Sequence, residues 1–291
     1  MFFNQLKTFI LLVLLSSLFI GIGGLIGGQS GMQFALIMAL IFNGIAYFFS
    51  DRMVLRMYKA QPLDHEHYAY VYGMIQELAN SMHLPMPKLW LINNSMANAF
   101  ATGRNPKHAS IAVTSGILDL LEPYELRGVL AHEMAHIYNR DILISTIAAT
   151  IATSIGYLAS MLRWSAFSGS MHSKRRNSNP FVLMVIGMLM PIAAMIVQLA
   201  ISRSREYLAD ETGAHAAHDP LALASALEKL HNHIPQAHLN NTDAKRASTA
   251  ALFIVHPFTG RSWTSLFATH PPIHKRVARL RALYEKMFPH R

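Results

Sequence analysis

The chain contains no cysteine. This excludes a disulfide framework, a thiolate-ligated metal and a cysteine nucleophile, so any metal must rest on histidine and carboxylate ligands. The lack of disulfides also suits a cytosolic domain. Charge is scarce as well. Charged residues make up 14% of the chain, against about 25% in soluble domains. Acids are the scarcer sign, 16 against 25 Lys and Arg, for a formal charge of +9. With 52% hydrophobic residues and a mean hydropathy of +0.25, the composition excludes an ordinary soluble protein and implies a membrane protein. No nucleic-acid-binding motif is present, and much of the basic charge flanks apolar runs, so the expected partner is a lipid bilayer with anionic head groups, not nucleic acid. At 291 residues there is room for one or two domains with a sizeable core.

Four stretches carry no charge at all: Thr8–Gly28, Met32–Ser50, Ile142–Leu162 and Phe181–Ile201. Each is about 20 residues, the length that crosses a ~30 Å hydrocarbon core. The first two are expected to form a helical hairpin at 1–50, with Gly21, Gly23, Gly24, Gly27 and Gly28 permitting close helix contact. A cleaved signal peptide fits the first run poorly, because the run is long, lacks an A-x-A-like site and leads straight into a second. The last two runs are expected to form a second hydrophobic hairpin at 142–201, either spanning the bilayer or lying buried or shallow. Soluble composition at 51–141 and 202–291 marks two parts of one domain outside the bilayer. Lys7, Arg52, Arg56, Lys59, Arg140, Arg203 and Arg205 lie on the side of these parts, which favours a cytoplasmic placement of that domain. The loop at 163–179, with Arg163, Lys174, Arg175 and Arg176, runs against that bias.

Within 51–141 stands Ala131-His132-Glu133-Met134-Ala135-His136, the pattern H-E-x-x-H. On a helix, positions i and i+4 share a face, so His132 and His136 aim two imidazoles at one ion while Glu133 lies beside them as a general base. Zinc suits this set, since it favours imidazole nitrogen and lowers the pKa of a bound water toward ~7. Glu122-Pro123 is a helix start, and Leu126, Val129, Leu130 and Ile137 give an apolar stripe, so the motif is expected on an amphipathic helix. Upstream, 64–83 reads as a helix. Lys88–Asn93 and Ser110–Thr114 read as short strands of a hairpin or small sheet, separated by Asn98–Gly103 and a turn at Arg104-Asn105-Pro106. An edge strand here would take an extended peptide by main-chain pairing.

After the fourth run come Glu206 and Asp210, i and i+4 on one helix face. By themselves they read as a solvated acidic pair beside Arg203 and Arg205. Behind an H-E-x-x-H helix, Glu206 instead completes a His-His-Glu zinc site, and Asp210 holds a histidine ring in the required tautomer. Asp219-Pro220 opens a further helix through Leu223, Leu227 and Leu230 to His233. Residues 236–265 have weak periodicity. After Pro271-Pro272 a basic amphipathic helix is expected, with Ile273, Val277, Leu280 and Tyr284 on its stripe and Lys275, Arg276, Arg279 and Arg281 elsewhere. His231, His233 and His238 lack a ligand frame and read as surface residues.

Ala131–His136 followed by Asn139 and Asp141, then Glu206-Tyr207-Leu208-Ala209-Asp210, resembles the HtpX-type membrane zinc metalloproteases, relatives of the CAAX prenyl endopeptidases. Asn98–Gly103 and Thr269–Arg276 resemble further segments of that family, so the likeness spans nearly the whole chain. It implies a mainly α, helical membrane protein with a zincin-like (gluzincin) metalloprotease domain containing a small β-sheet, in the inner membrane of a bacterium. It further implies one Zn2+ per subunit held by His132, His136 and Glu206, with Glu133 catalytic and Asp210 and Asn139 supporting. Asn98, Ala99, Phe100 and Ala101 are implied on the substrate side, and misfolded or damaged membrane proteins as substrates in a stress response. His270 reads either as an oxyanion donor or as a structural histidine. Other readings are a CAAX-type prenyl protease, an intramembrane-cleaving zinc protease, and a non-enzymatic membrane scaffold with a decayed site. The second of these needs a metal helix embedded in apolar sequence, which this is not. No adaptor is indicated.

Overall fold

The computed structural model describes residues 2–144, 146–147, 203–233 and 271–289. The third and fourth apolar runs, apart from the start of the third, and His270 lie outside these residues. The first helix, α1 (Phe2–Met57), is broken at Gly27 and Gly28, where φ of Gly28 is 56°. The two arms fold back on each other: the Asn43 amide donates to Ser16 Oγ at 2.8 Å. Gly23 and Gly31 face each other so closely that a Cβ on Gly31 would lie 2.1 Å from the Gly23 carbonyl oxygen. Of the glycines expected to allow contact, Gly23 and Gly24 meet the other arm, Gly27 and Gly28 make the turn, and a Cβ on Gly21 would stand in open space. Among the described residues, Gly27–Ile45 alone is long and apolar enough to cross a membrane. Phe34 (67% exposed) and Leu40 (64%) stand out from it; in water such a surface would be costly, in lipid it is solvated.

A four-stranded sheet follows, with strands β1 (Gln61–Pro62), β2 (Lys88–Ile92), β3 (Ala99–Gly103) and β4 (Ala109–Thr114) in the order β1-β2-β4-β3. The two strands expected from β-branched and aromatic content, β2 and β4, pair in parallel and are not a hairpin. The hairpin is β3–β4, because the segment taken as their separator is itself the edge strand. Pro62 sits on the opposite edge strand, where a missing N–H is tolerated.

Helices α2 (Ala69–Ser81), α3 (Ser115–Leu120) and α4 (Pro123–Tyr138) lie in the first part of the chain, and α5 (Arg203–Ala217), α6 (Pro220–Asn232) and α7 (Ile273–Met287) in the second. The α4 start is the expected one: Pro123 at N1 and a reciprocal capping box between Glu122 and Glu125. Asp219 likewise caps α6 through Leu221 N and Ala222 N. One core unites the two parts, with Leu126, Val129, Leu130 and Met134 of α4 packed among Ala209, Ala214, Leu223, Leu227, Val277 and Leu280. Glu125, buried, ties α4 to α6 by accepting from Ser225 Oγ (2.6 Å) and Lys229 Nζ (2.7 Å).

The α4–α5 crossing is set by Gly213, where a Cβ would stand 2.8 Å from the Ala131 carbonyl oxygen and 2.9 Å from His132 N. Gly213→Val is therefore expected to cost about 1–3 kcal/mol by overpacking and to weaken zinc uptake, since it drives α5 away from the histidines of α4. Gly73→Ala, exposed and with nothing near its Cβ position, serves as control and should be neutral or stabilising in a thermal melt, gaining up to about 1 kcal/mol. Equal melting temperatures and zinc contents for Gly213→Val and the parent would show that the close crossing is immaterial.

Candidate metal centre

His132 and His136 project from one face of α4, and Glu206 from the first turn of α5, so that one ligand atom from each lies within 4.8 Å of the others. The two Nε2 atoms are 3.2 Å apart. Glu206 oxygens lie 3.6 Å from His132 Nε2 and 3.7 Å from His136 Nε2. The far side of each ring is held by a carboxylate: Asp210 Oδ1 is 3.0 Å from His132 Nδ1 and Asp141 Oδ1 is 3.0 Å from His136 Nδ1. A carboxylate can only accept, so each Nδ1 carries the hydrogen and, in a neutral ring, each Nε2 presents a lone pair. Two lone pairs pointed at each other repel unless a cation lies between them.

The wider electrostatics ask for the same thing. Four carboxylates, Glu133, Asp141, Glu206 and Asp210, are buried here with two guanidiniums, Arg205 and Arg276. Burial acts to lower the pKa of His136, but Asp141, Glu206 and Glu133 overcome it and raise it to about 10. His132 is raised in the same way, by Asp210 and Glu206 against burial. The cage thus stabilises positive charge, and its donors, two imidazole nitrogens and a carboxylate, are those of a catalytic zinc with one position left open. The residues present fit the ion.

Asp141 reaches His136 through the end of α4. Asp141 N donates to the His136 carbonyl and Arg140 N to that of Ile137, with Arg140 at φ 56°. This is a Schellman closure made without glycine, and it turns the chain so that Asp141 sits beneath the ring. Asn139, expected to support the site, stands at the C-cap of α4, directly before the turn that carries Asp141. Its Nδ2 is buried with no hydrogen-bond partner among the described residues.

Asp210 is itself gripped. Arg276 donates to it twice, from Nε at 2.9 Å and Nη2 at 2.6 Å, and Nη1 lies 3.8 Å from Glu206 Oε2. Burial opposes ionisation of Asp210, yet Arg276 and His132 hold its carboxyl down at about 2. Arg276 is 0% exposed, in contrast to the position off the apolar stripe that the sequence suggests for it. Positions 273, 276, 277 and 280 form one inward stripe, and a charge inside such a stripe needs a buried partner.

Glu133 also is buried, and burial raises its carboxyl above the ordinary value against the pull of His136 and His132. Its Oε2 accepts from Ala101 N at 2.7 Å. Thr114 N donates to the Asn98 carbonyl, so in the β3–β4 register Asn98, Phe100 and Thr102 turn their main chain to β4, while Ala99, Ala101 and Gly103 turn theirs outward. The Phe100 side chain packs at the back of the sheet, with Val54, Leu55, Ile92 and Ala112. What β3 offers on the Glu133 side is therefore main chain.

Known proteins bear on this arrangement. A model of peptidase family M48 matches residues 65–284. Over 283 residues the chain is 51% identical to a protease HtpX homolog of Syntrophobacter fumaroxidans, covering 96% of this chain and 99% of the relative. It is 49% identical to an HtpX homolog of Ralstonia pickettii, covering 96% of each, and 48% identical to protease HtpX of Legionella pneumophila, covering 97% and 99%. The crystal structure of S. mikatae Ste24p is similar in fold, with a TM-score of 0.53 at 18% identity, covering 96% of this chain and 67% of that one. With a family match across most of its length and near-full-length relatives at about half identity, the chain belongs to peptidase family M48 and is a zinc metalloendopeptidase.

Proposed function

We propose that the chain is a multi-pass membrane protease of a bacterial inner membrane that cleaves misfolded or damaged membrane proteins at the cytoplasmic face. Its catalytic domain is assembled from 51–141 and 202–291, carried by the hairpin at 1–50 and divided by a hydrophobic hairpin at 142–201. The observation that carries this reading is the bond from the Ala101 amide to Glu133. An extended peptide paired to the outward main chain of Ala99 and to the Ala101 carbonyl, the Ala101 amide being held by Glu133, is laid across Glu133 and the His132–His136–Glu206 group. Main-chain pairing is indifferent to side chains, as a scavenger of unfolded polypeptide requires.

In the mechanism, His132, His136 and Glu206 would hold the zinc ion, which when bound would supply a Lewis acid and lower the pKa of a water. Asp141 and Asp210 keep both rings in the ligating tautomer. Glu133, its affinity for protons raised by burial, takes the proton of the attacking water and delivers it to the leaving amine. The Ala101 amide keeps the Glu133 carboxylate pointed at the peptide that the strand presents.

Two measurements test the reading. The absence of cysteine lets a single Glu285→Cys in exposed α7 report topology: it should react with an impermeant thiol reagent only from the cytoplasmic side, and reaction from outside would invert the proposal. In nanodiscs the wild type should degrade an unfolded membrane protein and accumulate its own fragments, while Glu133→Ala stays full length. Preferential cleavage of a farnesylated C-terminal peptide would favour the prenyl-protease reading instead.

A further inference from the structure

We propose that Arg52, Arg56 and Arg104 form a binding site for anionic phospholipid head groups, and that its occupancy steadies the edge strand β3. The inference rests on the reading of Gly27–Ile45 as a membrane span, and goes beyond it in naming a ligand and a consequence. Directly after that stretch, Tyr47, Phe48 and Phe49 are 37%, 54% and 47% exposed, the aromatic belt of a span at head-group level. The Arg52 guanidinium lies over the Phe49 ring, 5.8 Å from its centroid, and the Arg104 guanidinium over the neighbouring Phe48 ring, at 5.6 Å. Arg56 is exposed one turn beyond Arg52.

Arg104 is brought there by a different part of the chain. It follows β3 through Gly103, whose φ of 141° and close approach to the His108 carbonyl admit no side chain. Asn105 then caps the next turn by accepting from His108 N. The turn is thus built to hold Arg104 against the end of the span. No ion pair to a carboxylate involves these three arginines among the described residues, and Asp51 is the single acid in residues 1–63. A guanidinium fork accepts a phosphate in two parallel hydrogen bonds, and a site wedged between exposed aromatic rings at the end of a span meets phosphate as a lipid head group.

The consequence follows from how β3 is backed. Phe100 of β3 meets the Tyr58 ring at 5.5 Å and packs on Val54 and Leu55 at the end of α1. On the other edge the Ala101 amide holds Glu133. A head group that binds Arg52 and Arg56 on α1 and Arg104 beyond Gly103 clamps the strand from its end, three residues from the amide that orients Glu133.

The test uses the full chain with zinc in nanodiscs of phosphatidylcholine, with and without phosphatidylglycerol. Wild type should retain phosphatidylglycerol in native mass spectrometry and cleave casein faster when it is present. Arg52→Gln and Arg104→Gln should each weaken retention about fivefold, remove the stimulation in combination, and leave zinc content and the rate in pure phosphatidylcholine unchanged. Unchanged retention in the double variant overturns the proposal. So does equal stimulation of the detergent-solubilised protein by inorganic phosphate, which would make the ligand a free anion. Alkaline carbonate extraction distinguishes loss of the span from loss of the lipid site. Extraction of the wild type would remove the span reading and the proposal with it, while a membrane-retained protein with unaltered lipid retention removes the proposal alone.

Discussion

Glu206→Ala is expected to abolish zinc binding and peptidase activity together, while Glu133→Ala keeps zinc and loses activity alone. The two carboxylates are both buried and lie against the same pair of histidines, so burial does not tell them apart; their positions do. Glu206 approaches both Nε2 atoms, the side from which a cation is held. Removing it leaves two imidazoles, too few for a stable site with an open position. Glu133 is turned away to the β3 amide, where it can move a proton but does not complete the ligand set. Loss of a general base costs about 10²–10⁴-fold in rate. Zinc by plasma mass spectrometry and casein cleavage check both variants. Stoichiometric zinc and a wild-type rate in Glu206→Ala would sink the third-ligand role.

The second large effect belongs to Arg276. Arg276→Met leaves Asp210 buried without its two-pronged partner, and breaking such a pair costs about 3–5 kcal/mol. If stability were the whole of it, Arg276→Met with Asp210→Leu, which removes both charges, would restore the melting temperature and zinc affinity alike. The geometry argues otherwise. Asp210 is the group that fixes the His132 tautomer, so the double variant should melt near wild type yet bind zinc about 10–100-fold more weakly in a chelator competition. Arg276→Lys should fall between, because an ammonium cannot donate along both Asp210 oxygens in one plane. Wild-type zinc affinity in the double variant would reduce Arg276 to a structural residue.

The Asp141 contact to His136 and the Arg276 contact to Asp210 differ in kind from the H-E-x-x-H pattern. His132, Glu133 and His136 are related by helical periodicity, a local property that five consecutive residues express completely. The helix start at Glu122-Pro123 and the cap at Asp219 are local in the same sense, since their partners lie within three residues. Arg276 meets Asp210 across 66 residues, and nothing in either helix alone says whether a charge on its face looks to water or to a partner. Asp141 depends on the left-handed turn at Arg140, which has no glycine to announce it. The β3 strand is not legible for another reason: Ala-Phe-Ala-Thr-Gly has little β-branched content, and its extended form is stabilised by pairing with β4.

The metal chemistry, the helix that displays it and the apolar character of the first hairpin are legible in the sequence, because each is written in spacing or composition over runs of about 20 residues or fewer. Tertiary structure alone decided which charges are buried, which main-chain groups of β3 face Glu133, and that Arg104 stands on the aromatic end of the first hairpin. These rest on contacts between segments far apart in the chain, where the free energy of a charge or an amide is set by what the fold places opposite it.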